Sequence, residues 1–101
     1  MNTTDVLEIA VLTIHPGQGA QFEGAFREAA ALIKASPGYL GHELRCCIET
    51  PDRYVLLVRW RALEDHTVGF RQSPAYQDWK QRLHRFYPQF PTVEHYLSVT
   101  G

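Results

Sequence analysis

A chain of 101 residues with ten Lys and Arg against eleven Asp and Glu has room for one domain, 1–101, and one core. The near-neutral balance excludes nonspecific nucleic-acid binding, which needs clustered cations to displace counterions. The apolar fraction of 45% excludes disorder; a polar Met1–Asp5 and the lack of any run of about twenty apolar residues lead to the expectation of a cytoplasmic protein without a membrane span.

Val6 to His15 (VLEIAVLTIH) reads as a strand that is apolar on both alternating faces, with Leu7, Ile9 and Val11 on one and Val6, Ala10, Leu12 and Ile14 on the other. Pro16-Gly17 is a turn. Gln18 to Ala35 carries Phe22, Phe26, Ala29, Ala30 and Ile33 at spacings of three and four, which predicts an amphipathic helix. Ser36-Pro37-Gly38 stops it. Tyr39 to Ile48 and Arg53 to Arg61 are the next two strands, joined as a hairpin by Glu49 to Asp52. The third strand is again apolar on both faces, with Tyr54, Leu56, Val58 and Trp60 opposite Val55 and Leu57. Leu63 to Phe70 predicts a short helix, and Ser73-Pro74 supplies the N-cap and first position of a second piece, Ala75 to Arg85. A proline-punctuated loop, Phe86 to Pro91, leads to a last strand, Thr92 to Val99.

The order β-α-β-β-α-β, with its second helix split, predicts an α+β fold of the ferredoxin-like type, with both helices on one side of an antiparallel sheet. Helices on one side cover one face only, yet strands one and three are apolar on both. A second copy of the chain, its sheet packed face to face at about 10 Å, is the economical cover. Cys46 and Cys47 are adjacent and point to opposite faces of a strand, so two reduced thiols are expected rather than a disulfide.

The run from Trp60 to Trp79 (WRALEDHTVGFRQSPAYQDW) resembles the family of antibiotic biosynthesis monooxygenases, as do Pro37 to Leu44 (PGYLGHEL) and the opening strand with Pro16-Gly17. The resemblance spans Val6 to Tyr96. It implies a dimeric α+β barrel with a pocket between each sheet and its helices. It also implies oxidation of a phenolic or hydroquinone-type aromatic by dioxygen with no cofactor, neither flavin nor metal. Such chemistry needs an acidic substrate whose anion reduces dioxygen, a proton acceptor, a dry aromatic pocket and a donor for oxyanion charge. Haem-degrading relatives use an Asn, a Trp and a His where this chain has Ala10, Phe70 and Lys80, which argues against haem.

On this pattern His66 is the expected proton acceptor, placed on a first helical turn near the pocket mouth, since neutral imidazole accepts protons near pH 7. Arg71 is the expected charge stabiliser; its bland alternative is an ion pair with Glu64 or Asp78. Trp60, Phe70 and Tyr76 are expected to wall the substrate site, with core packing as the alternative for each. His95, on the last strand beside Val93 and Leu97, is a further candidate for substrate contact. The five histidines lie on separate elements without a ligand-spaced pair, so no metal site is expected. G-x-S-x-G, Walker-type and complete G-x-G-x-x-G patterns are absent. A non-catalytic dimeric module binding a small apolar metabolite, and an isomerase or quinol-handling protein, are the other functions this pattern allows.

Overall fold

The elements follow in the order β1 (Val6–Thr13), α1 (Gly19–Lys34), β2 (Tyr39–Cys46), β3 (Arg53–Trp60), a π-helical turn (Asp65–Phe70), α2 (Pro74–Leu83), a 3-10 turn (His84–Phe86) and β4 (Thr92–Leu97) in the computed structural model, which describes residues 5–100. The sheet order is β2-β3-β1-β4 with every neighbouring pair antiparallel, the ferredoxin-like α+β fold. β1 and β3, the two central strands, supply the inner rows: Ala10, Leu12, Leu56, Val58 and Trp60 are buried against Phe22, Phe26, Ala29 and Ile33 of α1. Leu83 and Trp79 of α2, which packs beside α1 on the same face, complete the core.

The elements end close to where local chemistry stops them. Ser73 is extended and its hydroxyl accepts the Tyr76 amide, with Pro74 at the first helical position of α2. Gly38, at φ +86°, turns the chain from α1 into β2. Some expectations change, among them the second strand, which ends at Cys46 rather than Ile48. The segment after β3 closes as a π-helical turn rather than an ordinary helix, because the Arg71 amide bonds five residues back to the His66 carbonyl at 3.1 Å. The last strand ends at Leu97 rather than Val99.

The sheet's other face has no helix. Ile9 stands opposite Leu57 and Val11 opposite Val55 on it, and Val11 and Tyr96 are 41% and 48% exposed. Among the described residues no helix is long and apolar enough to cross a membrane. Both cysteines are free thiols.

Candidate functional site

The inner row of β1 reads Val6, Glu8, Ala10, Leu12, so it carries a carboxylate in the middle of an apolar stripe. Glu8 is only 5% exposed. Burying an ion without partners costs several kcal/mol, and the neighbouring elements answer that cost. The β1–β4 register sets His95 directly opposite Glu8. Trp60, at the end of β3 and wholly buried, donates its indole N–H to Glu8 Oε1 at 2.9 Å. His66, 4% exposed, comes down from the π-helical turn and stacks on Trp60, with ring centroids 5.3 Å apart and planes 17° from parallel. Its Nε2 lies 3.4 Å from the same Glu8 oxygen, just beyond hydrogen-bond length. Its Nδ1 is 2.8 Å from His95 Nε2. Glu8, His66 and His95 therefore form a continuous line.

The π-helical turn decides what shares this site. In an α-helix residues five apart point about 140° away from each other. The i→i+5 closure brings them to one side instead, and His66, Phe70 and Arg71 all face a cavity of about 50 Å³ that Glu8 also lines. Tyr76 of α2 walls it, and Tyr87 and Phe90 of the loop before β4 form its outer rim. The start of the turn is pinned: the Asp65 carboxylate accepts the Ala62 amide at 3.1 Å and packs against Gly38, and the Arg61 amide donates to the Gly38 carbonyl at 2.8 Å.

Charge in the site follows burial. Removal from water raises the Glu8 pKa above its ordinary value, opposed by the Trp60 hydrogen bond and the Arg71 cation. Burial first, then Arg71 and His95, hold His66 down at about 3. Burial and Arg71 also lower His95. At neutral pH both imidazoles are uncharged.

Of the residues expected from sequence, His66, Phe70, Arg71 and Tyr76 meet at the cavity. Three expectations are corrected. Trp60 is not a wall of it; the side chain is core, and its polar edge holds Glu8. His95 lies behind His66 rather than against the cavity. His66 is not at the mouth: its ring is buried, and burial with Arg71, not the end of a helix, keeps it neutral. Arg71 is exposed and makes no ion pair with Glu64 or Asp78. Two of the five histidines, His66 and His95, do come together, in a line with Glu8: His66 turns one nitrogen to each neighbour, and no group of three metal-binding side chains occurs among the described residues.

Glu8 is the residue that sequence reasoning missed. Its signal was present, since it is the one charged side chain in the period-two row from Val6 to Ile14, and a carboxylate in a row that must face the core needs partners.

A family model described as antibiotic biosynthesis monooxygenase matches residues 5–82. The uncharacterized protein YczJ of Bacillus subtilis (strain 168) is 53% identical over 94 residues, covering 93% of this chain and 99% of that one. A crystal structure from Bordetella bronchiseptica carrying the same family designation superposes with a TM-score of 0.92 at 34% identity, over 96% of this chain and 99% of that one. SnoaB, a cofactor-independent oxygenase from Streptomyces nogalater, shares the fold with a TM-score of 0.72 at 24% identity, over 97% of this chain and 94% of that one.

Proposed function

The chain belongs to the antibiotic biosynthesis monooxygenase family, and on that premise we propose that it is a cofactor-independent oxygenase acting, as a homodimer, on a small acidic aromatic of the phenol or hydroquinone type. The observation that carries this reading is a single cavity lined by Glu8 and His66, the buried members of the acid–base line Glu8–His66–His95, together with Arg71, which makes no ion pair among the described residues, and the aromatic rings of Phe70 and Tyr76.

The roles follow from charge. An aromatic hydroxyl becomes a reductant for dioxygen once it loses its proton, so the site must take that proton and hold the anion. The buried line takes it, and Arg71, at the cavity edge, faces the negative oxygen. Phe70 and Tyr76, edge to face at 5.5 Å, give the ring an apolar wall. A cavity of about 50 Å³ is smaller than the usual ligand site of about 300 Å³ or more. Entry therefore displaces the outer rim, where Phe90 is 75% exposed.

Oxygen consumption by purified protein with a panel of hydroquinones and anthrones tests the reading. Turnover by colourless, chelator-treated protein is the expected result. Absence of turnover across the panel, with tight binding of the same compounds, would make the protein a binding module.

A further inference from the structure

Which atom of the buried line takes the proton is a question of geometry. A general base must present a lone pair within reach of the hydrogen it removes. His66 has neither nitrogen to spare: Nε2 faces Glu8 at 3.4 Å and Nδ1 faces His95 at 2.8 Å. Glu8 differs. Trp60 and His66 both address its Oε1. No hydrogen bond among the described residues engages Oε2, and no buried side-chain oxygen or nitrogen among them lacks a partner, so Oε2 is the oxygen open to the cavity that Glu8 lines. His95 stands half-buried on β4, an edge strand, at the far end of the line.

The geometry points to Glu8 as the group that removes the substrate's proton, with His66 and His95 forming a relay that carries it from the buried carboxyl toward solvent. The inference rests on the oxygenase reading for its substrate, but not for the relay itself. In the step, the O–H bond of the aromatic breaks, its electron pair stays on the aromatic oxygen, and the proton bonds to Glu8 Oε2. Rotation of the carboxyl group by half a turn then exchanges its two oxygens, and that same proton passes to the lone pair of His66 Nε2 as His66 Nδ1 releases its own to His95 Nε2. His95 gives its remaining ring proton to water. Charge balances: one anion forms on the substrate, Glu8 returns to carboxylate, and one proton enters solvent. The contact at 3.4 Å must shorten for the transfer, as catalytic hydrogen bonds commonly do once substrate is bound.

The electrostatics suit these roles. Burial makes Glu8 a stronger base than an exposed carboxylate. An imidazole held at about 3 is too weak a base to keep a proton, so it accepts on one nitrogen only while releasing from the other. The groups facing the line are Trp60 from β3, Arg71 from the end of the π-helical turn and the two histidines themselves.

Isotope-edited NMR of the full chain tests the relay without any ligand. The Glu8 carboxyl carbon and the ring nitrogens of His66 and His95 are followed against pH, in wild type and in Glu8→Gln, which keeps the size of the side chain and an acceptor for Trp60. The expected result is one titration step shared by all three residues and lost from the histidines in Glu8→Gln. Histidines that ignore the Glu8 step in wild type overturn the relay, whether or not the variant folds. Oxygen uptake with dithranol, an acidic anthrone, tests the base. Glu8→Gln should lose on the order of 100-fold in turnover at neutral pH, and the deficit should shrink as rising pH ionises the anthrone in solution. A wild-type rate, or a deficit that stays constant with pH, overturns the base assignment. If wild type consumes no oxygen with dithranol or with any hydroquinone, the oxygenase reading falls, and the titration still decides the relay.

Discussion

Glu8 and His95 stand directly opposite each other across the β1–β4 ladder, and the ring of His66 is inserted beside both from a different element. A strand pair sets two members of the site and a helical turn sets the third. The carboxylate is thereby surrounded by donors although its strand lies in the middle of the sheet. Arg71 acts on all three at a distance, lowering the pKa of each.

That shared influence gives a prediction with a fixed sign. Arg71→Ala removes a cation whose field favours ionised Glu8 and neutral histidines. The Glu8 pKa should rise further, and those of His66 and His95 should move back up toward 6.5. Because Arg71 is exposed, its loss should leave the urea midpoint nearly unchanged, while KM for an ionised aromatic increases more than kcat falls. NMR titration and steady-state oxygen uptake read the two effects separately. Unmoved histidine titrations would remove Arg71 from the site.

Acid stability should depend on His66. Its pKa is about 3 in the folded protein against an ordinary 6.5, so between those values the unfolded chain binds the extra proton. Stability is lost as pH falls through that window. Glu8 works in the opposite sense: its raised value makes the folded state hold a proton above pH 4.5, so its contribution weakens as pH rises. His42, His84 and His95 are also lowered and add to the His66 trend. The urea midpoint should therefore climb from pH 5 to pH 7, less steeply in His66→Gln and more steeply in Glu8→Gln. Equal slopes in all three proteins would mean that these groups do not set the dependence.

The β-α-β-β-α-β order, the inward rows of α1 and the Ser73-Pro74 restart were legible because each follows from period, propensity and capping within a short window. The cavity was legible only in part. Arg71 and His66 read as separate positions on an ordinary helix, and only a backbone closure that skips five residues puts them on one side. No local pattern around Asp65–Phe70 marks that closure; it becomes visible through its anchors, Gly38 and Asp65, which are distant in sequence. Glu8 was written in the strand but hidden by its neighbours: an apolar row with a single carboxylate still scores as apolar. The pairing of His66 with His95 depends on the β4 register, which joins residues separated by almost the whole chain.

The anchor of the turn can be tested at Gly38. A β-carbon there would run into the Asp65 carboxylate, and φ is +86°. Gly38→Ala should cost more than about 1 kcal/mol, a fall of at least roughly 4 °C in Tm for a domain of this size. Gly17 is the control, with φ +79° and nothing within 4 Å of its notional β-carbon; Gly17→Ala carries the backbone strain without the collision. Only Gly38→Ala should also shift the His66 ring signals. If the two variants behave alike, Asp65 is not holding the turn.

The helix-free face of the sheet gives the last prediction. Ile9–Leu57 and Val11–Val55 are neighbouring cross-strand pairs at its centre, and Tyr96 adds an aromatic ring that is 48% exposed. Charged side chains sit around this patch, with Arg53 and Arg59 on β3, Glu43 on β2 and Glu94 on β4, so the arrangement is an apolar centre within a polar border, as in stable interfaces. A sheet face of this kind packs on a second sheet at about 10 Å, and a two-fold copy presents the same patch to itself. Light scattering at micromolar concentration should give roughly twice 11.6 kDa, with an interface of more than about 1,500 Å² in total. Leu57→Arg places a cation on a long side chain at the centre of the patch, where a partner would have to strip it of water and make room for it; it should yield monomers that keep the wild-type circular dichroism spectrum. Thr13→Arg, at the end of β1 on the same face, should leave the mass unchanged. A wild-type monomer at these concentrations, or a Leu57→Arg protein of unchanged mass, would mean that something other than a second copy covers this face.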